Sequence, residues 1–341
     1  MKPKNFFFFL IALTSWMYFQ IARADDKQII VAVIDTGLDA KTLSDPSKLW
    51  QNPQETGLDK NGLDRATNGI DDDKNGFIDD VNGYNFASSN NKITDQHGHG
   101  THVTGIIQKH SPNARLMILK YYQPNSPQKN LDNTTLAIRY AVKMGAHIIN
   151  YSGGGQSPDQ KEFLALKEAE AKGILVIAAS GNEGYNNDLQ GFYPASYKLK
   201  NIVSVGSTDG RGQLLSSSNY GERSVDIAAE GENIISNLPG AGSGLGSRKG
   251  IMTGTSQAAA FVSGVASRIM EQFKTSNFNE VKEQLLASGA FKSNLSGRIK
   301  TSRQIELDRA IASRDSNRDA FDRISPTSYN VFENDFIYKH Q

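Results

Sequence analysis

The chain is predicted to fold as an α/β domain with a mainly parallel central sheet and helices on both of its faces. Three observations point there. First, "QIIVAVID" (28–35), "ARLMILK" (114–120), "AHIINYS" (146–152), "GILVIAAS" (173–180) and "NIVSVGS" (201–207) are nearly unbroken apolar and β-branched runs. That is the pattern of strands covered on both faces, since a strand with one wet face alternates. Second, 132–144 and 159–172 carry helical periodicity between those runs, and strands alternating with helices favour a parallel sheet. Third, 341 residues suffice for one large α/β domain with a substantial core, or for two smaller domains. No internal repeat or linker divides the chain.

The first element is an address. Lys2 and Lys4 precede the apolar run "FFFFLIALTSWMYFQIA", and Ala22-Arg23-Ala24 fits an A-x-A cleavage signal. We read 1–24 as a signal peptide; an uncleaved anchor is the alternative, because the run approaches spanning length. Cleavage would take the basic count from 37 to about 34 against 36 acids, a net charge of about −2. The expected product is secreted or periplasmic, with no membrane attachment. The near-balanced charge offers no electrostatic case for nucleic acid. The absence of cysteine excludes disulfides, thiol catalysis and thiolate metal sites. The stretch from 256 to about 312 reads as mostly helical. The polar, aromatic tail (317–341) has no clear period and is assigned no role, leaving 25–316 as the main domain.

Parallel sheets collect ligands at the carboxyl ends of their strands, and Asp35, Ser152 and Asn182 fall at or just past such ends. "VAVIDTG" closes a buried strand on Asp35. "HGHGTHVTG" sets His99 before an apolar, small-residue helix start. "TGTSQAAA" puts Ser256 at the start of an Ala-rich helix, where backbone N–H groups favour developing negative charge. Taken singly, Asp35 could be a turn residue, Ser256 a helix cap and Asn182 a turn former in "SGNEG".

Together, in the order Asp…His…Ser, these motifs resemble the subtilisin-like serine peptidases (subtilases), from about residue 28 to about 312. "AASGNEG" (178–184) resembles that family's oxyanion-hole segment, and 216–236 resembles the strand pair that follows it. The resemblance implies a subtilisin-like three-layer α/β fold and a serine-type endopeptidase (hydrolase) acting on protein or peptide substrates. By motif, Ser256 is the nucleophile, His99 the general base and Asp35 its orienting partner. Asn182 and the Ser256 N–H would hold the oxyanion.

"NYSGGG" (150–155) matches the family's substrate-binding strand, where an extended peptide adds to the edge backbone. Ser152, Gly153, Gly154 and Gly181 are therefore expected at the substrate, with Ala179-Ser180-Gly181 and "YPA" (193–195) completing the first specificity pocket. The family usually has leucine at the position of Gly153. The lack of charge in these segments points to large apolar or aromatic side chains as preferred residues. His97, two before the base, would flank the substrate. His102, one turn later, reads as a packed residue, and Asp95 as a brace of the turn.

The acidic segment "DDDKNGFIDDVN" (71–82) fits an oxygen-ligand loop: Asp71, Asp73, Asn75, Gly76 for the turn, the Phe77 carbonyl and Asp79. Position twelve is Asn82 instead of glutamate, and the flanks are not EF-hand helices. A structural calcium is expected, with no catalytic metal; a solvated acidic loop is the alternative.

Gln257 and Ala260 replace the family's methionine and proline after the serine, "AEG" (229–231) replaces "APG", and "LSDP" replaces His-Pro-Asp after Asp35. The first core strand begins about three residues past the cleavage site, which leaves no room for a pro-segment: either the domain folds unaided, using calcium binding energy, or a separate folding helper or inhibitor assists it. Two other readings remain: a catalytically silent subtilase domain that binds peptides, and a metallohydrolase using the histidine cluster. The latter lacks H-E-x-x-H and has glycines on either side of its central histidine.

Overall fold

The computed structural model describes residues 28–240 and 248–312. The expected signal peptide (1–24), the 316 boundary and the tail (317–341) lie outside them. Nine strands form one sheet: β1 (Ile30–Asp35), β2 (Gly83–Asn85), β3 (Arg115–Lys120), β4 (Ile148–Tyr151), β5 (Leu175–Ala179), β6 (Ile202–Thr208), β7 (Ile227–Glu230), β10 (Ala290–Phe291) and β11 (Arg303–Gln304). Their spatial order is β10-β11-β7-β6-β5-β4-β1-β3-β2. All neighbours are parallel except the β10–β11 pair at one edge. Two further strands, β8 (Ile234–Leu238) and β9 (Arg248–Met252), make a separate antiparallel ribbon.

The five runs seen in the sequence are the five central strands: β1 and β3 start one or two residues inside their runs, β4 and β5 are three residues shorter than theirs, and β6 is displaced by one. Alternation along β1 explains why they look uniformly apolar. Val31 and Val33 pack on one face with α1 (His99–His110) and α4 (Thr255–Phe273). Ala32 and Ile34 pack on the other with α2 (Pro127–Lys143) and α3 (Gln160–Ala171). Successive side chains point to opposite faces, and here both faces are covered.

One expectation holds and one needs correction. The stretch 256–312 is mostly helical, through α4 and α5 (Phe278–Ser288), and ends in β10, a single 3₁₀ turn, β11 and a four-residue helix. Two-residue strands have no readable period; β11 exists because Gln304 pairs with Ala228, far away in the chain. In 216–236, β7 and β8 do not pair with each other, since β7 joins the main sheet and β8 the ribbon.

Strand β2 shows how tightly the sheet edge is built. Gly83 has φ +117°, and a Cβ there would lie 2.0 Å from the Ile118 carbonyl oxygen. Gly83→Ala is expected to cost about 3–5 kcal/mol, combining backbone strain with a clash against main chain that cannot move aside. Gly57, at φ +80° with open space around it, should lose only about 1 kcal/mol on the same change. Denaturant melts of the two variants compare them directly. Among the described residues, no helix is long and apolar enough to cross a membrane.

Candidate active site

β1 and β4 are neighbours in register, Ile34 opposite Tyr151. Asp35 therefore ends one strand beside Ser152, one step past the end of the next, about 5 Å away across the sheet. The two halves of the site grow from these adjacent ends.

The first half is α1 docked against the end of β1. Asp35 is buried, and its Oδ1 lies 2.8 Å from His99 Nδ1 and accepts the Thr36 N–H at 2.7 Å. Oδ2 is buried with no hydrogen-bond partner. The approach depends on Gly100, where a Cβ would lie 2.3 Å from the Gly37 carbonyl oxygen and 3.1 Å from Asp35 Oδ1. Asp95 ties the junction together, accepting from the N–H groups of His97, Gly98 and Thr101 and from the hydroxyls of Thr36 and Thr101. Thr36 Oγ1 in turn accepts the Gly100 N–H. Burial opposes ionisation of Asp95, but these donors outweigh it and hold its carboxyl below the usual range. For His99, burial pulls the imidazole down, yet the charge and hydrogen bond of Asp35, helped by Asp95, raise it above its ordinary value.

The second half joins β4 to α4. Ser256, 7% exposed, begins the second position of α4, and its Oγ donates to the Ser152 carbonyl at 3.0 Å. The Ser152 hydroxyl donates back to the Ser256 carbonyl at 3.0 Å. Asn150 and Ser263 extend the chain, Asn150 Nδ2 donating to Ser152 Oγ and Ser263 Oγ to Asn150 Oδ1.

Asn182 stands exposed at the end of β5, with Oδ1 accepting the Thr255 N–H at 2.9 Å and the Thr255 hydroxyl at 3.1 Å. A backbone N–H can only donate, so it fixes the amide with its oxygen toward α4 and its NH₂ on the other side. Asn219, which the sequence reading did not single out, anchors this turn: its Oδ1 accepts the N–H groups of Glu183 and Tyr185, and its Nδ2 donates to Glu183 Oε2. Gly181 lies against Asn219 with no room for a side chain.

The other expected substrate residues gather here too. Gly154 and Gly155 follow Ser152 outward, and Gly155 exchanges both backbone hydrogen bonds with Tyr193. Gly153 faces Tyr121, whose hydroxyl would lie 2.6 Å from a Cβ at that position. His97 is exposed and stacks edge-on to His99 and to Tyr122, at 6.4 and 5.4 Å between ring centres. Tyr121 and Tyr122 carried no sequence signal, because the strand that delivers them reads simply as core. His102 is fully buried, its Nε2 shared between the carbonyls of Ile234 and Gly250. The three histidines thus meet different partners, and among the described residues no cluster of metal-ligating side chains includes them.

The acidic loop lies apart from these strand ends. Asp71 accepts the N–H groups of Asn75 and Gly76. Asp73 accepts from the Asn75 N–H and from the side-chain amides of Asn52 and Asn75. Three other expected ligands also bond within the chain. Asn75 Oδ1 accepts the N–H of Phe77, Asp79 accepts the Gly69 N–H, and Asn82 gives its amide to the Trp50 carbonyl. The Phe77 ring packs with Tyr84, Phe86 and Tyr140. Glu55 joins the loop from outside and was missed in the sequence; burial, with the charges of Asp80 and Asp73, pushes its carboxyl up to about 7 against the pull of two N–H groups.

A parallel sheet that offers a carboxylate–imidazole pair at one strand end and a helix-start serine at the next belongs to the α/β proteins equipped for nucleophilic chemistry. The chain is a member of the subtilase family, whose sequence model it matches over residues 26–328. It is 36% identical over 190 residues to the major intracellular serine protease of Bacillus subtilis (strain 168), covering 52% of this chain and 56% of that protein. It is 37% identical over 211 residues to the cell wall-associated protease of the same strain, covering 59% of this chain but 22% of that one. The chain thus spans about half the length, or less, of these curated relatives. Among solved structures, a lanthipeptide protease superposes with a TM-score of 0.64 at 22% identity, over 87% of this chain and 91% of that one. A cold-adapted subtilisin-like serine proteinase gives 0.61 at 20% identity, over 83% and 89%. These two likenesses establish the subtilisin-like fold.

Proposed function

We propose that the protein is an exported serine endopeptidase that cleaves peptide bonds through Asp35, His99 and Ser256. The observation that carries this reading is the Asp35–His99 pair at the end of β1, beside a serine held at the end of β4. The Ser256 hydroxyl, resting on the Ser152 carbonyl, turns about χ1 to His99 and attacks the scissile carbonyl carbon as Nε2 takes its proton. Asp35 keeps the Nδ1–H tautomer and stabilises the imidazolium. The Ser256 N–H and the Asn182 NH₂ receive the oxyanion. The imidazolium then protonates the leaving amine, and water, activated by the same ring, releases the acyl group. The peptide runs along 152–155, with His97, Gly153, Gly154 and Gly181 beside it.

Export rests on the N-terminal Lys2 and Lys4, the apolar run and Ala22-Arg23-Ala24. Calcium in the acidic loop is a structural element of the same proposal. A silent peptide-binding domain is the competing reading, kept open by Gln257 and Ala260 next to the serine. A fluorophosphonate probe separates the two. The folded chain is expected to be labelled on Ser256, with no label on Ser256→Ala and no effect of a zinc chelator. An unlabelled, folded wild type would establish the silent domain instead.

A further inference from the structure

We infer that Glu55, Asp71 and Asp73 form one calcium site, in which Glu55, from outside the acidic loop, closes the coordination in place of Asp79 and Asn82. The inference rests on reading that loop as a calcium site and changes which residues hold the ion. Each of the three residues offers a carboxylate oxygen, and these oxygens lie within 4.8 Å of one another. Calcium binds oxygen at about 2.3–2.6 Å, so ligands on opposite sides of one ion stand about 5 Å apart. All three can therefore reach a common ion without rearrangement.

Glu55 supplies the independent sign of a ligand. It is 0% exposed; Oε1 accepts the N–H groups of Asp72 and Asp73, while Oε2 is buried with no partner. A buried carboxylate oxygen left bare is costly unless a cation or donor meets it. Of the cations nearby, Arg65 pairs with Asp72 at 3.7 Å and Lys143 Nζ donates to the Asn75 carbonyl at 3.0 Å. No ion pair found among the described residues engages Glu55, Asp71 or Asp73. Asp80 lies outside this group, its carboxylate accepting from Asn52, Asn75 and Tyr140. A set of hard, anionic oxygens on irregular backbone suits calcium better than magnesium, which demands near-ideal octahedral geometry. The ion would clamp the 52–55 turn to the loop, reinforcing the Asn52 N–H bond to the Val81 carbonyl.

The test is calorimetric titration of the EDTA-stripped full chain with calcium, with thermal melts in EDTA and in calcium. The wild type should bind one ion and melt higher with it. Glu55→Gln and Asp71→Asn should each bind at least about tenfold more weakly and lose the calcium-dependent rise in Tm. Asp79→Asn should bind as the wild type does. In EDTA, Glu55→Gln should melt no lower than the wild type, because it removes an unmatched buried charge while keeping an acceptor for the two N–H groups. Unchanged binding by Glu55→Gln, or loss of binding by Asp79→Asn, overturns the role of Glu55 and leaves a calcium loop of the twelve-residue kind. A Glu55→Gln protein that melts below the wild type in EDTA makes Glu55 a residue of the fold alone. A wild type that binds no calcium removes the calcium reading altogether.

Discussion

Replacing Ser256 or His99 by alanine is expected to lower kcat by about 10⁶-fold, and replacing Asp35 by about 10⁴-fold, the scale found for triads of this type. The three effects should not add, since each group acts only through the others: Ser256→Ala combined with Asp35→Ala should be no slower than Ser256→Ala alone. Asp35→Asn carries a second signature. Asp35 is the main influence raising the His99 imidazole, and only the neutral ring can accept the serine proton. Activity should therefore appear as pH rises through the raised His99 value, and Asp35→Asn should move that acidic limb to lower pH while depressing the plateau. The sign for stability is opposite. The Asp35–imidazolium attraction is fully present below the unfolded histidine value of about 6.5 and disappears as pH rises through the folded one. A pH–rate profile of the residual activity, beside melts across the same range, reads both. A limb that stays in place would show that His99 is not the titrating base.

The second large effect belongs to Asn182. Loss of an oxyanion-hole amide costs about 10²–10³ in kcat, a figure measured on a related enzyme, and KM should change little because the contact forms in the transition state. Alanine is an impure test here. Asn182 Oδ1 also accepts the Thr255 N–H at the start of α4, so Asn182→Ala strands that donor at a cost of about 1–3 kcal/mol. Asn182→Asp keeps the acceptor and removes only the NH₂, while adding a charge that repels the oxyanion. Both variants should lose turnover, the aspartate more, whereas only the alanine should lower Tm. Equal turnover by wild type and aspartate would remove Asn182 from the reaction.

Much of this architecture is legible in the residues. A buried parallel strand must be apolar on both faces, so the central strands stand out; motifs at or just past strand ends pick out Asp35 and Asn182, and motifs at helix starts pick out His99 and Ser256. What escaped depends on partners distant in sequence. Glu55 lies in a polar stretch, and its burial is set by the loop that folds over it. Asn219 looks like any turn asparagine until Glu183 and Tyr185 are placed on it. Tyr121 extends an apolar run, and only the missing side chain at Gly153 shows why a large ring fits there. The short strands β2, β10 and β11 failed for a similar reason: register against a neighbour creates them, and three residues or fewer carry no period.

The reciprocal bonds between Ser152 and Ser256 make the edge that would receive a peptide and the atom that would attack it a single mechanical part. On the proposed function, selectivity and reactivity are therefore not independent knobs. A larger residue introduced at Gly153 to reshape the cleft would press on Tyr121, and any shift passed along the backbone to Ser152 would reach the nucleophile through two hydrogen bonds. Variants sought for new preferences should come more readily from the far rim, around Tyr193 or His97, where a change in shape need not disturb the serine.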